Sequence, residues 1–142
     1  MEIREGRVSD CIAAARLLLV LTGEYPSVPA VSKAMMRIAN MVASPEHFVI
    51  VADSGEDGVV GIILGTRNDR GLSAWGLVVA EAYRHKGIGK QLIDALCALA
   101  ERLGCKTIRC RTEVESKGYY ERIGGRIVAY EYEMEVRHGI GS

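Results

Sequence analysis

Between residues 77 and 90 the chain reads Leu77-Val78-Val79-Ala80-Glu81-Ala82-Tyr83-Arg84-His85-Lys86-Gly87-Ile88-Gly89-Lys90. An apolar strand gives way to a basic loop with two glycines, and a long helix follows. No other stretch restricts the fold so much. Ile88, Leu92, Leu96, Leu99/Ala100 and Leu103 recur at helical spacing and predict a helix over Gly87 to Leu103. Gly104 is placed to close it in a left-handed C-cap. The first amides of a helix have no partner inside it, and the helix dipole adds positive character at the same end. Together they make an anion site. Gly87 and Gly89 admit a ligand close to the backbone. Arg84, Lys86 and Lys90 surround it with charge, and Arg84 has the fork that grips a phosphate. The ligand this predicts is a phosphate, above all a pyrophosphate.

Two common phosphate loops do not match. The dinucleotide fingerprint GxGxxG fails because Gly89 is followed by Lys90, Gln91 and Leu92. The nucleotide loop GxxxxGK[ST] would need glycine at Arg84 and a hydroxyl residue at Gln91.

The remaining elements are read around this segment. Glu2 to Gly6 is a short first strand. Ser9 is an N-cap with Asp10 in the first turn of a helix that runs to about Leu21 and ends at Thr22-Gly23. Glu24 to Ser27 is a loop. Pro29 opens a second helix, with Val31, Met35, Ile38 and Met41/Val42 on one face and Pro45 as its stop. His47 to Ala52 and Val59 to Gly65 form a hairpin around Ser54-Gly55-Glu56-Asp57-Gly58. Leu72 to Ala80 is the next strand, centred on Trp75, and Lys106 to Arg111 another. Ser116 to Arg122 is a short helix ended by Gly124-Gly125, and Arg126 to Val136 holds one or two last strands. The order β-α-α-β-β-β-α-β-α-β(β) predicts an α/β chain whose mixed sheet carries helices on both faces.

Bulk properties narrow the classes. A length of 142 residues suits one domain, residues 1–142. Eighteen basic residues offset eighteen acidic ones, which argues against a nucleic-acid binder. Met1 to Ser9 is polar, unlike a signal peptide. The apolar run from Cys11 to Leu21 is broken by Arg16 and too short to span a bilayer. A cytoplasmic protein with no membrane partner is expected. Cys11, Cys97, Cys105 and Cys110 form no CxxC pair, and His47, His85 and His138 are scattered, so reduced thiols and no metal are expected.

Arg84-His85-Lys86-Gly87-Ile88-Gly89 after an apolar strand resembles the pyrophosphate motif R/Q-x-x-G-x-G/A of the GNAT acetyltransferases, which bind coenzyme A. The resemblance covers nearly the whole chain. Val49-Ile50-Val51-Ala52, the glycine turn and Val60-Gly61-Ile62 look like the family's central hairpin. Tyr119-Tyr120-Glu121-Arg122-Ile123-Gly124-Gly125 is similar to its late F-Y-E-K-x-G-F segment.

The resemblance implies a mostly antiparallel sheet of six to seven strands and direct transfer from acetyl-CoA to a primary amine. It implies that Leu77, Val78 and Val79 hold the pantetheine arm where the strand splays at a bulge. The amides and side chains of Arg84, His85, Lys86, Gly87, Ile88, Gly89 and Lys90 would hold the pyrophosphate. Tyr120 would be the general acid, and Glu24 or Glu113 the base. The chain departs from the pattern at Glu81, Glu113, Ser116 and Gly125, where proline, asparagine, alanine and phenylalanine are frequent. A catalytically silent acyl-CoA-binding regulator and a transferase of longer acyl chains are the alternatives. Acceptor choice should rest on Leu21 to Ala30 and the last strands, through which two copies could also pair.

Overall fold

The predicted hairpin forms from β2 (His47–Asp53) and β3 (Val59–Asn68), paired antiparallel. Its turn is tied internally: the Ser54 hydroxyl donates to the Gly58 carbonyl at 3.0 Å and accepts from the Asp57 amide at 2.9 Å. This computed structural model describes residues 1–111, 126–128 and 131–135, and the side chains of residues 1–110. β1 (Glu2–Glu5) adds to β2, and β4 (Gly71–Val79) adds to the other side of β3. α3 (Ile88–Arg102) then crosses the sheet, and β5 (Thr107–Arg111) returns parallel to β4. β6 (Arg126–Val128) and β7 (Glu131–Glu135) extend the sheet, which among the described residues has seven strands in the order β1-β2-β3-β4-β5-β7-β6.

Both faces of the sheet are covered. α1 (Cys11–Thr22) and α2 (Val28–Ala43) bury Ala14, Leu18, Ile38 and Met41 against Val49, Val51, Ile62, Leu64 and Val78. α3 buries Leu92, Leu96 and Ala100 against Phe48, Ile50, Ile63 and Leu72 on the opposite face. Each buried leucine or isoleucine contributes about 1.5–3 kcal/mol. Gly61 sits beneath the first turns of α3, where an added Cβ would lie 3.2 Å from Leu92 Cδ1 and 3.3 Å from Ile88 Cγ2. The absent side chain lets the start of that helix rest directly on β3.

Two caps differ from the sequence expectation. Ser9 lies in a 3₁₀ turn, Val8–Asp10, and makes no capping bond; α1 begins at Cys11. Asp10 is instead committed to a distant partner, as described below. Ser27, the last residue of the predicted loop, supplies a cap the sequence reading did not assign: its hydroxyl accepts from the Ala30 amide at 3.3 Å at the start of α2. The helix predicted over Ser116 to Arg122 lies outside the described residues. Among those residues no disulfide forms, and no helix is long and apolar enough to cross a membrane.

Arg4 fastens the chain's start to the sheet. Its Nη1 and Nη2 donate to the two Asp10 carboxylate oxygens at 2.7 and 3.0 Å, and Nη2 also reaches Asp53 Oδ2 at 2.9 Å. Asp10 is 8% exposed and accepts from the Arg7 amide as well. The Arg4 guanidinium holds the Asp10 carboxyl below the usual carboxylate range, against an opposing push from burial. A depressed native pKa stabilises fully above the unfolded value, and the contribution is lost as pH falls through the native value. Asp10→Asn is therefore expected to cost about 1–3 kcal/mol at neutral pH. Its deficit against the wild type should shrink below about pH 4 in denaturant titrations. A deficit constant down to acid unfolding would exclude this ion pair as its source.

Candidate functional site

β4 is not a regular strand. Leu64 pairs with Gly76 and Gly65 with Ala74, which leaves Trp75 without an opposite residue. The extra residue is a bulge, and it reverses the alternation of side chains beyond it. Leu72 and Ala74 lie in the α3-side core, yet so do Leu77 and Val79, while Val78 joins the α1–α2 side. Gly65 makes the bulge compatible with β3. A Cβ there would fall 1.9 Å from the Ser73 carbonyl oxygen and 2.8 Å from the Phe48 ring.

β5 follows β4 only from Gly71 to Ala74, opposite Thr107 to Cys110. Beyond Ala74 no described residue pairs with this edge of β4. The Ala80 amide donates to the Val60 carbonyl at 2.7 Å, toward β3. By alternation, the backbone polar groups of Leu77 and Val79 face the parted edge. The Val79 carbonyl accepts from Arg84 Nε at 3.0 Å, which agrees with that direction.

The loop after β4 opens with a 3₁₀ turn, Glu81–Tyr83. His85 then adopts a left-handed backbone at φ 64°, and Gly87 another at φ 81° as the N-cap of α3. The first amide of the helix to find a partner is Gln91, which donates to the Gly87 carbonyl at 3.1 Å. Among the described residues, no amide from His85 to Lys90 donates to any acceptor. A Cβ at Gly87 or Gly89 would meet nothing within 4 Å, so the space over these amides is open. Ile88, between them, is buried and anchors the turn in the core.

The side chains are disposed less uniformly than the motif suggests. Arg84 commits Nε to the strand, leaving its terminal nitrogens unengaged among the described residues. Lys86 Nζ lies 5.3 Å from the centre of the Tyr83 ring. Lys90 pairs with Asp94 one turn along α3, at 2.8 Å, so its charge is partly offset. Glu24 is exposed and lines an α1–α2 cleft of about 120 Å³ with Lys33 and Arg37. Arg37 in turn stacks over Trp75, 4.6 Å from its ring centre. Tyr120 and Glu113 lie outside the described residues. A larger cleft, about 1130 Å³, sits at the other end of β4 around Arg67 to Gly71, and shares none of the described residues of the predicted site.

Reading by residue type missed Trp75 and Gly65 as the makers of the parted edge. The signal was available: two apolar pairs, Leu72/Ala74 and Leu77/Val79, stand out of phase for one strand.

The model of the acetyltransferase (GNAT) family matches residues 17–125. A curated relative, a candidate acetyltransferase of Bacillus subtilis (strain 168), is 25% identical over 59 residues; the match spans 42% of this chain and 40% of that protein. The Trypanosoma brucei acetyltransferase structure is 25% identical, with a TM-score of 0.72 over 89% of this chain and 93% of that one. The PaiA N-acetyltransferase of Thermoplasma acidophilum, solved in complex with coenzyme A, is 18% identical, with a TM-score of 0.69 over 96% of this chain and 98% of that one.

The close approach at Gly65 generates a stability prediction. Gly65→Ala must displace the Ser73 carbonyl and is expected to destabilise the fold by about 3 kcal/mol or more. That corresponds to a fall of roughly 10 °C in Tm. A thermal melt within one or two degrees of the wild type, about the scatter of such measurements, would show that the bulge does not need a bare backbone at this position.

Proposed function

The chain belongs to the acetyltransferase (GNAT) family, and on that premise we propose that it moves an acetyl group directly from acetyl-CoA to a primary amine. The observation that carries this reading is the row of open amides from His85 to Lys90, next to a strand edge on which, among the described residues, no strand pairs with Trp75 to Val79. These residues fit coenzyme A. Open helix-start amides match a diphosphate, and an unpaired strand edge matches the amide-bearing pantetheine arm. Acetyl-CoA supplies the activated thioester when bound.

The protein's own groups then have separable tasks. Amides of His85, Lys86, Gly87, Ile88, Gly89 and Lys90 hold the diphosphate, with Arg84 and Lys86 adding charge. The backbone of Leu77 and Val79 aligns the arm, and Val78, facing the other side, fixes the strand in the core. The Val79 amide points at the parted edge and is the donor for the thioester oxygen. Arg84 Nε must share or release the Val79 carbonyl when the arm arrives.

An acceptor amine with a pKa near 10.4 is neutral about once in 2,500 molecules at neutral pH, and removing its proton costs roughly 4–5 kcal/mol. A carboxylate base acting directly or through water offsets that cost, and Glu24 or Glu113 fills this role. Tyr120 protonates the departing thiolate. The thiol, near pKa 8.5, leaves more readily than a phenolate, so the acid assists rather than decides. Direct transfer is favoured over an acyl-cysteine route: Cys11, Cys97 and Cys110 are buried, and burial pushes the Cys97 thiol up to about 11.

Two variants test the reading. Gly89→Glu puts bulk and negative charge into open space over the amides. It should abolish acetyl-CoA binding in calorimetry while leaving Tm close to the wild type; retained affinity in the folded variant would refute the cradle. Tyr120→Phe should lower kcat by as much as about 10²-fold with the coenzyme A Kd preserved. Undiminished kcat in this second variant would remove the acid role from Tyr120 and leave the cradle standing.

A further inference from the structure

We propose that Tyr83 and Asp57 form a latch that holds the phosphate-binding loop in its open-amide shape, which makes Tyr83 a positioning residue for coenzyme A. The proposal rests on the reading of the loop given above. Arg84, His85, Lys86 and Gly87 are all exposed, and few backbone bonds restrain them. Tyr83 to Ala80 at 2.8 Å and Arg84 to Glu81 at 3.2 Å are local to the 3₁₀ turn, and the next bond lies beyond the loop, from Gln91 to Gly87. His85 holds a left-handed backbone that a side chain disfavours. Arg84 Nε on the Val79 carbonyl and the buried Ile88 hold the two ends of the loop, and His85 to Gly87 between them need a further anchor.

Tyr83 supplies an anchor from elsewhere in the sequence. Its hydroxyl donates to Asp57 Oδ2 in the β2–β3 turn, and its ring lies under the Lys86 ammonium. Asp57 is itself fixed, because its amide donates to the Ser54 hydroxyl and Ser54 is bonded twice to the Gly58 carbonyl. The Asp57 carboxylate also raises the Tyr83 pKa above the ordinary tyrosine value, so the hydroxyl keeps the proton it donates. The chain of contacts runs from the hairpin turn through one aromatic ring to a lysine of the loop.

Asp57 makes the proposal testable, because the latch and simple electrostatics predict opposite outcomes. An anion beside a phosphate site weakens binding by charge alone, so removing it should tighten the complex. If the carboxylate serves as the latch's acceptor, Asp57→Ala should weaken it instead. Asn at the same position keeps an acceptor oxygen without the charge.

Calorimetric titration of the full chain with coenzyme A tests this. Tyr83→Phe and Asp57→Ala are each expected to raise Kd by about two- to ten-fold. The double variant should be no weaker than the weaker single one. Asp57→Asn should bind at least as tightly as the wild type. Thermal melts of the ligand-free variants should stay close to the wild type, which separates positioning from a general loss of stability. Wild-type or tighter affinity in Asp57→Ala, or additive losses in the double variant, overturns the latch while Gly89→Glu still tests the cradle. A wild-type chain that does not bind coenzyme A overturns both.

Discussion

The parting of β4 from β5 is the constraint on which the rest of the structure turns. It follows from one inserted residue, Trp75, set opposite a glycine, Gly65, whose missing side chain leaves room for the displaced Ser73 carbonyl. Without the insertion, Leu77 and Val79 would sit on the α1–α2 side and Val78 on the α3 side. With it, a strand can be buried on both faces and still leave part of one edge unpaired. Exposed edges are normally a liability. Here the stretch left unpaired among the described residues is short and leads straight into the loop that starts α3, as the proposed ligand site requires.

In the proposed reading, the loop at the end of that edge receives an anion with main-chain donors more than with side-chain charge. Lys90 is offset by Asp94, and Arg84 gives one nitrogen to the strand. The amides from His85 to Lys90 remain open, and the buried Ile88 fixes their direction. A chain with no net charge therefore needs no basic surface to hold a diphosphate. The helix start offers the donors, and left-handed backbone at His85 and Gly87 shapes the turn that carries them. Gly61 contributes from below by allowing α3 to rest on β3, so the start of the helix is set by core packing.

Local chemistry was legible in the sequence, and long-range pairing was not. The Ser54–Gly58 turn, the apolar stripe of α3 and the strand–loop–helix around Gly87 each depend on neighbours in sequence, and each lies where its residues predict. Ser9 has the right type for a cap, but its neighbour Asp10 is claimed by Arg4, which also binds Asp53, a competition visible only in three dimensions. The bulge leaves a trace as a phase slip along β4, easily overlooked because both faces of the strand are apolar. The left-handed backbone at His85 has no composition signal at all. The order β5-β7-β6 places the last strand inside the edge, and chain order could not give that. Of the proposed chemical groups, Glu24 lies on an open cleft beside Lys33 and Arg37. Tyr120 and Glu113 lie outside the described residues; the role of Tyr120 rests on the motif, whereas Glu113 departs from it and is a candidate only as a carboxylate.

The central claim is that helix-start amides, rather than basic side chains, receive the diphosphate. An amide-resolved NMR titration reads this most directly, comparing coenzyme A with pantetheine, which lacks the diphosphate. Coenzyme A is expected to shift the amides of Lys86 to Lys90 strongly, in the direction of new hydrogen bonds, and pantetheine to leave them nearly unmoved. Saturation by coenzyme A with those amides unchanged would contradict it.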